Sequence, residues 1–243
     1  MTVNPPLAVW LAWWGAMRRY HRYTVEGLER LDSRRSMLIV GYHGRPIAYD
    51  LCMLSVTFHE RFGYMPHGIA HRAVDSSPLM RWICDGLGFV SGDGEVIAAA
   101  VARGEHVVVQ PGGAREGCRS VLHTHEVDWG DRTGFIRVAL RYGLPVVPVA
   151  ARGIDRGYVG LNDGYGWGRR LRMPAGLPFW IGLGALGPWP LSPPFPVRIT
   201  QHIGEPIDLC DAGPIDPGDP AALLAAQRRV AREVQAILDR VNG

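Results

Sequence analysis

His43 follows an apolar run, Met37 to Tyr42 (MLIVGY), and precedes Gly44. Such a run reads as a strand buried on both faces, which puts the imidazole at a strand's carboxyl end, where open α/β sheets collect their ligands. Asp50 falls in the first turn of the following helix. From there its carboxylate could accept the Nδ1 proton of His43 and leave Nε2 as a general base. The competing reading is a strand-end histidine making an ordinary turn contact. A second strand, His106 to Gln110, ends in Pro111, Gly112, Gly113, Ala114, Arg115 and Glu116. Paired glycines allow close backbone approach and let N–H groups converge on an anion, with Arg115 and Glu116 alongside. Otherwise the turn is only a tight loop. Both turns follow strands at one sheet edge, which makes coincidence the weaker explanation.

The elements needed to position these turns alternate along the chain. Helices are expected over Ile47–Phe58, Pro78–Leu87, Glu95–Arg103 and Thr133–Tyr142, the third closed by Gly104 and the fourth by Gly143. Strands are expected over Pro145–Ala150 and Val197–Ile203, and Asp219 and Pro220 should open a closing helix. This order predicts an α/β fold of one domain, with a mostly parallel central sheet flanked by helices. Residues 1–22 form a separate N-terminal unit in this reading, an apolar helix started by Pro5 and Pro6. Leu7, Trp10, Leu11, Trp14 and Met17 share one face, the opposite face carries Val9 and Trp13, and Arg18, Arg19 and Arg22 follow. A helix apolar all round belongs in a core or against lipid, and the tryptophans with their arginine collar favour a membrane-contacting interfacial helix. The stretch is too short to span a bilayer. Met173 to Val197 is also apolar but holds seven prolines, so it cannot be one helix; it either packs over the sheet or touches lipid.

Composition narrows the chemistry. All 26 basic residues are arginine, which removes lysine-dependent phosphate loops and Schiff-base enzymes. The net charge of +3 suits an anionic membrane or a phosphorylated substrate and is too small to point to nucleic acid. Cys52, Cys84, Cys118 and Cys210 are too far apart for a CxxC zinc or redox pair, and the histidine pairs lack a third ligand at metal-binding spacing. Gly182, Gly184 and Gly187 match a dinucleotide-binding glycine pattern, but Pro188 and Pro190 block the helix it requires.

Three segments together resemble successive blocks of the glycerolipid acyltransferase superfamily: YHG at 42–44, PGGAREG at 111–117 and TGFIRVALRYGLPVVPV at 133–149. The likeness is to its diacylglycerol acyltransferase-like branch, beside the lysophosphatidate acyltransferases. The resemblance makes residues 23–243 an acyltransferase domain. It implies transfer of a fatty acyl group from acyl-CoA or acyl carrier protein to a hydroxyl of a glycerolipid-like acceptor, with no further cofactor. His43 would deprotonate that hydroxyl, without an acyl-enzyme, and Pro111, Gly112, Gly113, Arg115 and Glu116 would position the acceptor's head or the developing oxyanion. The implied partners are acyl-CoA, a lipid acceptor and a membrane surface, with the protein peripheral at the cytoplasmic face. Two departures stand out. The family's His-x4-Asp spacing lands on Ala48, so Asp50 makes His-x6-Asp, and Gly86 to Gly94 lacks the arginine expected after a glycine-rich stretch. Two other readings remain open, a non-catalytic lipid-binding protein and a lipid or thioester hydrolase. Acceptor identity, chain length and oligomeric state are not legible.

Overall fold

The computed structural model describes residues 4–32, 34–70, 86–87, 89–91, 94–173 and 178–243. Its strands are β1 (Thr24–Glu26), β2 (Leu38–Gly41), β3 (His67–Ala70), β4 (Val90–Ser91), β5 (Val107–Val109), β6 (Val146–Arg152), β7 (Val159–Gly160), β8 (Gly182–Gly184), β9 (Gly187–Pro188) and β10 (Thr200–Ile203). Its helices are α1 (Pro5–Tyr20), α2 (Tyr49–Phe62), α3 (Glu95–Ala102), α4 (Ala114–Gly117), α5 (Gly134–Tyr142), α6 (Gly164–Arg170) and α7 (Pro220–Asn242).

Seven strands form the central sheet in the order β1-β10-β6-β2-β5-β3-β4. β2 runs parallel to both β5 and β6, and β3 runs parallel to β5 and β4. β10 lies antiparallel to β6, and β1 pairs parallel to β10. The fold is therefore α/β with a mostly parallel sheet, as the alternation of elements predicts. The apolar runs became central strands because each is covered on both sides: every residue of β2 and β5 is buried, as is β6 up to its last residue. Parallel register sets Val40 of β2 beside Val109 of β5, so the turns after these strands emerge side by side.

Helix boundaries follow local chemistry. The Asp219 side chain accepts from the Ala221 N–H at the start of α7, and Pro220 fills the first turn. Leu223, Val230, Val234, Ile237 and Leu238 bury one stripe of α7, the helix that covers β6. Each is worth roughly 1.5–3 kcal/mol of burial. The expected helix at Pro78–Leu87 lies, apart from its last two residues, outside the described residues. α1 is folded onto the domain. Asn4 caps it, Trp14 is buried in the core, and the Trp10 Nε1–H donates to Ser55 Oγ of α2 at 2.9 Å. Val9 and Trp13 stay exposed. Among the described residues no helix is long and apolar enough to cross a membrane.

Candidate active site

β2 delivers Tyr42 and His43 to the sheet edge where β5 delivers Pro111, Gly112 and Gly113. The two turns are joined by Glu116. One carboxylate oxygen accepts from the His43 backbone N–H at 2.9 Å and the other from the Asp128 N–H at 2.8 Å. Gly112 leaves the space this carboxyl occupies, since a Cβ there would fall 2.0 Å from Glu116 Cδ. Burial pushes the Glu116 carboxyl up to about 7, against the two N–H bonds that favour its charge. Glu116 was expected to face the acceptor. Instead, both of its oxygens are spent on the backbone, and its place is that of a clamp between turns.

His43 is half-buried, and its Nδ1 lies 2.9 Å from the carbonyl oxygen of Gly44. A carbonyl only accepts, so this bond requires the proton on Nδ1 and leaves the Nε2 lone pair free to take a proton. Burial pushes the imidazole down to about 4, outweighing the Gly44 bond, so the ring is neutral at neutral pH. Its face is fixed by Gly117, where a Cβ would come within 2.8 Å of Nδ1 and 2.5 Å of the Pro46 oxygen.

Asp50 does not complete a dyad with His43. Its Oδ1 accepts from Gln110 Nε2 at 3.3 Å, its Oδ2 meets no side chain among the described residues, and the proton it was expected to take from His43 goes to Gly44. The physical reason is how α2 docks: Asp50 stands in its first turn as expected, but on the face buried against the sheet beside Gln110. Burial pushes this carboxyl up to about 7.

Beneath the histidine turn lies a polar network that the sequence reading did not single out. Asp155 accepts from the Tyr42 hydroxyl and, at 2.9 Å, from the His125 N–H. Arg45 is fully buried and donates to the carbonyls of Arg119, Asp155 and Ser120, at 3.8 Å from the Asp155 carboxylate. Arg119 bonds the Tyr42 hydroxyl and the Glu126 carbonyl. No spacing rule links residues 42, 45, 119 and 155.

Arg115 pairs with Asp128 at 2.6 Å. It lines a cavity of about 630 Å³ together with Arg119, Arg132, Tyr165 and Arg169, among which stand the carboxylates Glu126, Asp128 and Asp163. Arg132 donates to the carbonyls of Pro111 and Gly112, both at 2.6 Å, so the cavity wall and the glycine turn are one structure. Arg132, Tyr165 and Arg169 were missed because they come from distant parts of the chain, the first from the turn before α5 and the other two from α6. Two other cavities, about 480 and 630 Å³, open at the β1–β10 edge beside Glu26 and Arg152 and contain none of these residues.

The sequence profile of the Acyltransferase family matches residues 22–152, which is more than half of the chain and includes both turns. The chain belongs to the acyltransferase family. It is 29% identical over 230 residues to a cattle protein named "DGAT1/2-independent enzyme synthesizing storage lipids", covering 94% of this chain and 62% of the relative. The chicken protein of that name is 31% identical over 227 residues, at 93% and 62% coverage. The chain thus spans less than two thirds of these relatives. In fold the chain is similar to the crystal structure of the 1-acyl-sn-glycerophosphate acyltransferase PlsC from Thermotoga maritima, with a TM-score of 0.54 and 17% identity. That similarity covers 95% of this chain and 79% of the other.

Proposed function

We propose that this acyltransferase moves a fatty acyl group from acyl-CoA, or from acyl carrier protein, to a hydroxyl of a glycerolipid-like acceptor, working as a peripheral protein on the cytoplasmic leaflet of a membrane. The acceptor hydroxyl gives its proton to Nε2 of His43 as its oxygen attacks the thioester carbonyl. The tetrahedral adduct then expels the thiolate, which takes the proton back from the imidazolium, so the products are the ester and free thiol. No acyl-enzyme forms. The observation that carries this reading is the His43 imidazole, neutral by burial, with Nδ1–H held on the Gly44 carbonyl. A backbone acceptor fixes the tautomer here, the role a carboxylate usually fills.

The cavity beside the glycine turn sets arginines among Glu126, Asp128 and Asp163, and it would take a phosphorylated head group through Arg169, which can add a charge-assisted bond that a neutral acceptor cannot use. The reading is tested by incubating purified protein with acyl-CoA and a panel of acceptors while following free thiol and ester. Thiol release that requires an acceptor supports transfer. Release independent of acceptor makes the protein a thioesterase, and absence of both leaves a lipid-binding scaffold.

A further inference from the structure

The small sheet of β7, β8 and β9 is built with its apolar face outward. Strand order is β7-β8-β9, all antiparallel, with Val159 paired to Leu183 and Leu183 to Pro188. The Leu161 N–H bonds the Ile181 carbonyl and extends the ladder. Side chains alternate along a strand, so Val159, Leu161, Ile181, Leu183 and Pro188 share one face, and all five are exposed. The inner face carries Gly160, Gly182 and Gly184, positions where a Cβ would come within 2.4 Å of Arg119, Trp180 or Pro193 atoms. A one-sided antiparallel sheet in water normally turns polar residues outward and apolar ones inward. This sheet does the reverse. Leu186 and Leu191, at 83% and 88% exposure, project from the same segment.

The surroundings identify what fits this face. Past Asp163, which caps α6, the chain has no Asp or Glu through Gly204, while Arg169, Arg170 and Arg172 lie within this stretch. α6 follows β7 after three residues and exposes Trp167 and Arg170, with Leu171 exposed just past its end and the Arg170 guanidinium 6.0 Å from the Trp167 ring centre. Exposed apolar side chains followed along the chain by arginines and a tryptophan match the boundary between acyl chains and anionic head groups. A second copy of the chain fits poorly, since it would set the same arginines against one another.

We propose that the outer face of β7–β9, with α6, docks on an anionic lipid bilayer. This rests on the preceding reading only in that the enzyme meets its acceptor at a membrane; the surface argument is independent of the chemistry. The inner face leans on the catalytic turn. The Trp180 Nε1–H donates to the Arg119 carbonyl at 3.1 Å and the Gly164 N–H to the Cys118 carbonyl at 2.8 Å, adjoining the Gly117 that packs on His43. Docking this face would therefore hold the His43 turn next to the lipid surface.

The test is co-flotation of the full chain with vesicles of phosphatidylcholine and phosphatidylglycerol. The double variant Leu161→Glu, Leu183→Glu alters only exposed side chains and should keep the wild-type circular dichroism and melting temperature. Its vesicle affinity should fall at least tenfold, while Val9→Glu, Trp13→Glu on α1 should lose less. Turnover of a short-chain, water-soluble acceptor and thioester should be unchanged in the sheet variant, so a failure of docking is read separately from a failure of chemistry. Wild-type affinity in the folded sheet variant would overturn the proposal, as would a wild-type protein that ignores anionic vesicles but forms a dimer abolished by the same substitutions.

Discussion

The two sides of the β2 carboxyl end handle buried polar groups in opposite ways. On the side of His43, Glu116 and Asp128, each carboxylate oxygen of Glu116 meets a backbone N–H, and the imidazole is oriented by Gly44 and pressed by Gly117. On the other side, the side-chain bond Asp50 takes is a long one from Gln110, and its Oδ2 meets no side chain among the described residues. Burial raises both carboxyls to about 7, yet only Glu116 is built into a geometry that reaches the candidate base. A perturbed titratable group in a core marks a site only when its contacts lead to the reacting atoms.

The largest effect that bears on this contrast is loss of the base. His43→Ala should lower acyl transfer by about 10²–10⁴-fold with circular dichroism unchanged. A folded variant retaining more than about a tenth of the wild-type rate would remove His43 from the reaction. Because burial holds the imidazole near 4, its protonation should not limit the wild-type rate until the pH falls to that region. An acid limb near pH 7 would then not be the titration of His43.

Gly117→Ala should come next. The added Cβ cannot clear both the imidazole and the Pro46 oxygen, so the ring must shift, and a displacement of that kind costs on the order of 10²-fold in turnover. The expected signature is a fall in kcat with KM for the acyl donor near the wild-type value. An unchanged kcat would show that ring placement tolerates more than the close packing implies.

Arg169→Ala extends the contrast into the arginine cavity. Loss of a charge-assisted bond should cost about tenfold or more in kcat/KM with lysophosphatidate and little with a neutral glyceride. Equal losses with the two acceptors would refute a phosphate role for the cavity.

Asp50→Asn should change turnover least, by less than about threefold. Its effect should appear in stability. The Asp50 pKa is raised in the folded protein, so between the model-peptide value of 3.8 and about 7 the folded state binds the extra proton, and this group's contribution to stability falls as pH rises through that window. The amide keeps an acceptor for Gln110 and never ionises, so the melting temperature of the variant relative to wild type should be higher at pH 8 than at pH 5. A strong loss of turnover with unchanged acceptor affinity would restore the dyad and erase the contrast.

The sequence by itself determined the strands and the turns that carry His43 and Gly112. Buried parallel strands need unbroken apolar runs, while caps and tight turns need residues such as Asp219, Gly104 and Gly143, and both are local demands. It also exposed the oddity of an apolar, proline-rich stretch ending at Val197. Tertiary structure decided whatever depended on direction. Asp50 lies in the first turn of α2 as expected, but the docking of that helix, which spacing does not reveal, turned the carboxyl toward Gln110. The partner that fixes the His43 tautomer is a backbone carbonyl, which every residue possesses and no motif marks. Arg45, Arg119 and Asp155 converge across more than a hundred residues of chain, a separation that only the assembled sheet brings within hydrogen-bond reach. The same holds for the outward face of β7–β9: alternation in a strand fixes which residues share a side, and only packing against Arg119 and Trp180 decides which side meets the solvent.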